Sequence, residues 1–250
     1  MKTLIVGFAA RTNNGAKAVS ARVADRLGVP CVRFDDYLRA VASQRGFTEV
    51  TQQILQDLGE EEIRAHGFKE YCSAVLRHAS WHSGESVVIE GVRHVEAIET
   101  LRELVSPAQF HLIYLEANTE APRERHPRVA ELRLDPRKPA DELVEEVLRW
   151  ARKAELDDHF QKLAADWRKA VGPLSSVTRI VQHPAYREII SLGQEVVPLM
   201  LRDLEQRPDH WFAALRTITG ADPVAPEDRG RMERMAAAWV RWGNEHGYTV

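Results

Sequence analysis

The chain has 250 residues, 44% hydrophobic and 28% charged, which gives room for one large domain or two ordinary ones and excludes a disordered chain. A net charge of -3 argues against broad electrostatic binding of nucleic acid, and no apolar stretch approaches the roughly 18–20 residues that span a bilayer. The two cysteines, Cys31 and Cys72, lack metal-ligand spacing and suit a reducing compartment, so a cytoplasmic protein without membrane contact is expected.

In chain order, the apolar run 4–9 predicts a buried β-strand and is too short for the apolar core of a signal peptide. A segment rich in small residues, 10–18, leads into a helix over 19–27 that Gly28 ends. Strand, small-residue turn and helix together form the setting in which backbone N–H groups cradle phosphates. The usual pattern there is G-x-x-x-x-G-K-[ST]. Laid over 10–17 without gaps, it puts Ala10 and Gly15 at the glycines, Ala16 at the lysine and Lys17 at the hydroxyl residue. Asn13 and Asn14 suit the left-handed conformations of a phosphate nest. The expected phosphate contacts here are therefore Asn13, Asn14, Gly15 and Lys17, with the Lys17 ammonium as a displaced cation.

Short strands at 31–34, 86–90 and 110–115 alternate with helices at 37–44, 51–66, 68–81 and 95–104. This alternation predicts an α/β domain with a parallel sheet covered on both faces. Two carboxylates, Asp35 and Asp36, open the helix after the second strand and have a plain reading as caps. Capping leaves Arg39 unexplained, and an Asp36/Arg39 pair suits gripping a nucleoside or its phosphate. Glu90 ends the third strand, where a magnesium-orienting acid would sit, and Arg93 offers a guanidinium fork. Arg123 and Arg125 follow the fourth strand as a phosphate-clamping lid or as a solvated charge run.

Segment 123–139 is rich in proline and arginine, without a period that favours a regular element, and no fifth strand is expected. Beyond it, helical spacing predicts 141–169, 186–192, 196–206, 211–219 and 227–246. Five of the six tryptophans follow Leu148, which implies a separate second core. The expected domains are an α/β domain over 1–125, a linker or lid remnant over 126–139, and an all-α domain over 140–250 that offers a surface to a protein partner. Segments 193–204 and 211–220 look like one HEAT-type hairpin, and a single unit implies a compact bundle. Trp239 and Trp242 are read as core, and His183 and His210 as caps or surface.

Together, DYLR at 36–39, LQDLG at 55–59 and EGVRH at 90–94 resemble the P-loop nucleoside and nucleotide kinases, in particular the (deoxy)nucleoside monophosphate kinase-like branch, over residues 1–125. The resemblance implies a three-layer fold and substrate contacts from Asp36, Arg39, Gln56 and Arg93. It also implies ATP or another nucleotide as ligand; transfer chemistry would then fall to Glu90 at the strand end and to Lys17 reaching back into the place of the motif lysine. Ala16 in place of lysine, Ala18 in place of a hydroxyl and Glu90 in place of aspartate depart from it and weaken the case for Mg2+. Three readings stay open: a degenerate nucleotide-binding protein, a working small-molecule kinase that uses Lys17, and a ligand-free adaptor.

Overall fold

The computed structural model describes residues 3–10, 15–116, 129–171 and 180–248. They form two compact units, 1–151 and 152–250. The first contains β1 (Ile5–Ala10), α1 (Ala16–Leu27), β2 (Cys31–Arg33), α2 (Phe34–Gln44), α3 (Gln52–His78), β3 (Val87–Glu90), α4 (Val95–Leu104), β4 (Phe110–Leu115) and β5 (Leu132–Leu134). Helix α5 (Ala140–Val171) runs through the division. The second unit continues with α6 (Pro184–Ser191), α7 (Val197–Gln206), α8 (Phe212–Thr219) and α9 (Met232–Glu245).

The sheet is parallel throughout, in the order β2-β3-β1-β4-β5. Its strands are continuous apolar runs because both faces are buried. Val6, Phe8, Val88, Ile113 and Leu115 pack with α1 and the start of α5. Ile5, Ala9, Ile89, Leu112 and Tyr114 pack with α2, α3 and α4 on the other face. The expected three-layer α/β domain is present, followed by a helical region.

Two glycines break the chain where the sequence implies. Gly28 ends α1 in the left-handed conformation, φ 67°. Gly67, at φ 76° and ψ 166°, interrupts α3 between the two predicted helices. A third glycine is set by space. Gly7 lies between Ile89 and Leu112 on the neighbouring strands, and a Cβ there would come within 2.2 Å of the buried Phe110 ring. Gly7→Ala is therefore expected to cost about 1–3 kcal/mol of overpacking, read as a lower urea midpoint.

Three expectations are corrected. A fifth strand exists: β5 pairs with β4 from Leu132 opposite Ile113 to Leu134 opposite Leu115. The Glu116 N–H donates to the Leu134 carbonyl at 3.0 Å, and the Glu131 N–H to the Leu112 carbonyl at 2.9 Å. Three residues beside Pro136 carry too little alternation to stand out from a linker. The compact units divide at Ala151, beyond the expected 126–139 boundary. Leu143, Val144, Val147 and Leu148 are core of the first unit, and Arg22 and Arg26 on α1 bind Asp141 at 2.5 Å and Glu145 at 2.8 Å. The last helix starts at Met232 and not at 227, because Pro226–Asp228 forms a 3-10 turn and Gly230 turns left-handed.

In the second unit, Trp167, Tyr186, Trp211 and Trp239 are fully buried, and the Tyr186 and Trp211 rings stack at 5.5 Å. His183 caps α6 by accepting from the Ala185 N–H at 3.2 Å. Helix α7 carries proline in its first turn, and α8 ends at left-handed Gly220. No helix among the described residues is long and apolar enough to cross a membrane.

Candidate functional site

In a parallel sheet the loops beyond the carboxyl ends of the strands are where ligands bind. Here β1, β2 and β3 end beside the N-termini of α1 and α2, and the register places Glu90 opposite both Phe8 and Arg33. Gly15 is the N-cap of α1; its φ of 104° favours glycine, and it has no side chain with which to cap the first-turn N–H groups. Ala16 is only 3% exposed and belongs to the α1 core. Lys17, one residue on, is exposed. The position that the ungapped motif gives to the lysine is thus buried in the α1 core, and its exposed neighbour carries the ammonium.

Glu90, the last residue of β3, is 5% exposed. Burial pushes its pKa up, and the nearby Asp35 carboxylate adds to the effect. Lys17, Arg33 and Arg93 act in the opposite sense. These five side chains act on one another electrostatically as one cluster, and the Lys17 charge favours the ionised Glu90 carboxylate. A carboxylate with a raised pKa at the mouth of an α/β sheet is a functional-site signature and a burden on the fold. Its raised folded pKa means that the wild type holds its full stability below the unfolded carboxylate value of about 4.3 and loses part of it as pH rises through the folded value. Glu90→Gln is expected to raise stability at neutral pH by on the order of 1 kcal/mol. That gain should shrink to nothing as thermal melts are taken down towards pH 4.

The expected substrate-side residues separate. Arg93 lies in the cluster, its Nη2 3.3 Å from Asp35 Oδ1. Asp36 is half exposed and faces Arg33 at 3.6 Å. Arg39 is exposed on α2 without an ion pair to any described residue, and Gln56 is exposed on α3, donating to Glu60 at 3.3 Å. Asn13, Asn14, Arg123 and Arg125 lie outside the described residues.

Asp35 and Arg33 are members of the cluster that the motif reading passed over. Asp35 shares the inward face of α2 with Leu38 and Ala42, a spacing of three and seven residues. That helical phase was present in the sequence. Arg33 is signalled by the strand register, and its buried Nε has no hydrogen-bond partner among the described residues. An open depression lined by Arg102, Gln109, Phe110 and Glu131 lies at the opposite, N-terminal end of β4, away from these carboxylates.

No known family model matches the chain. A UPF0200 protein of Methanothrix thermoacetophila is 30% identical over 126 residues, which are 50% of this chain and 64% of that protein, so the match spans less than two thirds of the relative. Among solved structures the chain is similar to a gluconokinase from Sinorhizobium meliloti, at 15% identity and a TM-score of 0.42 over 63% of this chain and 97% of that one. It is also similar to a shikimate kinase from Aquifex aeolicus, at 12% identity and a TM-score of 0.36 over 58% and 94%.

Proposed function

We propose that this is a kinase-like protein that binds a nucleotide through its phosphates at the β1–α1 turn, with impaired transfer chemistry and a regulatory use of the bound nucleotide. The observation that carries the reading is the buried Glu90 carboxylate, on which the Lys17 charge acts, at the same sheet end as a helix N-terminus whose N-cap, Gly15, has no side chain to cap it. Uncapped N–H groups and a flexible ammonium suit phosphate oxygens. The impairment follows from Ala18, which cannot supply a hydroxyl to a metal, and from a cation displaced by one residue.

Magnesium fits only as a passenger of the nucleotide. No group of three or more potential ligands exists among the described residues, and Asp35 is engaged by Arg93. Glu90 is the carboxylate that would hold the ion together with phosphate oxygens, where it would neutralise phosphate charge.

A second reading, retained phosphoryl transfer to a small hydroxyl substrate, is favoured by the same Lys17 charge acting on Glu90. We assign partner binding to the helical unit, with α7 and α8 as a HEAT-like hairpin; first-turn Pro198 and the Gly220 stop support that reading. Two free cysteines support a cytoplasmic setting.

Calorimetric titration of the intact chain with ATP, GTP and the common nucleoside monophosphates tests the proposal. Saturable binding of at least one triphosphate is expected. Silence across the panel at millimolar ligand removes it and leaves the adaptor reading.

A further inference from the structure

We infer that the open depression at the N-terminal end of β4 is a second ligand site, and that it takes a free α-amino acid in its zwitterionic form. The depression has a volume of about 440 Å³, and Arg102, Gln109, Phe110 and Glu131 are among its lining residues. That size is within the range of small-molecule sites. It lies in the first unit, at the end of the sheet away from the nucleotide turn. Arg102 stands in the last turn of α4, with its Nη2 3.4 Å from Glu131 Oε1. Glu131 is pinned to the edge of β4. Its Oε2 accepts from the Leu112 N–H at 2.6 Å, and its own N–H donates to the Leu112 carbonyl at 2.9 Å. Strand β5 begins opposite Ile113, so among the described residues no strand covers that edge before Leu112. Backbone groups alternate between the two edges of a strand, so Phe110 turns its N–H and C=O to the same edge as Leu112, where it lines the depression.

One cation, one anion, one backbone donor and one backbone acceptor thus stand side by side. A phosphate or a simple cation would meet a like charge there, which selects against both. An α-amino acid carries its two opposite charges on groups that share one carbon. Its carboxylate can accept from Arg102 and the Phe110 N–H while its ammonium donates to Glu131 Oε1 and the Phe110 carbonyl. The Arg102–Glu131 contact gives way at little loss, because it is long and its side chains are 41% and 35% exposed. The exposed Gln109 is left for the side chain of the amino acid. None of this rests on the nucleotide reading.

Calorimetric titration of the intact chain with each standard L-amino acid tests the inference. Saturable binding of at least one, at millimolar ligand or below, is expected. Its N-acetyl derivative, which lacks the ammonium, and its methyl ester, which lacks the carboxylate, should each bind about tenfold or more weakly. Arg102→Gln and Glu131→Gln should each weaken the amino acid by a similar factor. A carboxamide at 131 can still accept from the Leu112 N–H, so the edge stays paired. If either variant fails to fold, the two blocked derivatives decide, because they need no mutation. Silence across the panel, equal affinity for either blocked derivative, or unchanged affinity in either folded variant overturns the inference. Displacement of the amino acid by ATP would place it at the other end of the sheet and overturn it as well. ATP titrated alone reports separately on the nucleotide reading.

Discussion

Arg168→Ala is expected to destabilise the helical unit by about 3–5 kcal/mol, the cost of stripping the partner from a buried ion pair. The Arg168 guanidinium donates through Nη2 to Asp203 and through Nε to Asp209 at 2.8 Å. Asp203 is 9% exposed and also accepts from Trp211 Nε1 at 2.6 Å. The guanidinium carbon lies 5.7 Å from the Trp211 ring centre, so the cation also covers an aromatic face. Alanine would leave two partly desolvated carboxylates facing each other without a counter-charge. Arg168→Lys keeps a charge but cannot fork between both acids, and an intermediate loss is expected. Urea unfolding of the intact chain, followed by tryptophan fluorescence, reads both changes; a midpoint within error of wild type for Arg168→Ala refutes the network's role.

For the site, Lys17→Ala is expected to weaken ATP binding roughly tenfold to a hundredfold, the weight of one charged hydrogen bond. If phosphoryl transfer survives, the same change should cut turnover by about 10²–10³. Lys17 is exposed, so its removal costs little packing, and losing its charge beside the buried Glu90 should lower the melting temperature slightly at neutral pH but not near pH 4. Lysine restored at the motif position, Ala16→Lys in the Lys17→Ala background, should not rescue binding. Ala16 faces the core, and a lysine there would have to be buried or unwind the first turn of α1. Rescue by that double variant would mean that the ungapped register, and not the observed helix phase, describes the turn. ATP consumption equal in wild type and Lys17→Ala would end the transfer reading.

The α/β domain was largely legible because β1, β3 and β4 are unbroken apolar runs and Gly28 and Gly67 interrupt helices where a left-handed residue is required. Strand β5 was hidden because three residues cannot display a period, and its pairing depends on a β4 edge distant in sequence. The division at Ala151 was hidden for another reason. One continuous helical period serves two cores, Leu143 to Leu148 in the first and Phe160 to Trp167 in the second. At the site, Glu90 and Arg93 follow from strand-end logic, whereas the choice between Asp35 and Asp36 turns on helix phase. The motif reading takes Asp36; the spacing to Leu38 and Ala42 puts Asp35 on the buried face of α2.

The central claim is that the turn between β1 and α1 receives nucleotide phosphate, with Lys17 as its cation. A crystal structure of the intact chain grown with ATP tests this most directly. Phosphate oxygens within hydrogen-bond distance of Lys17 Nζ and of the first α1 N–H groups, with Glu90 facing them, are expected. A turn filled by its own side chains, with ATP absent or bound elsewhere, would contradict the claim.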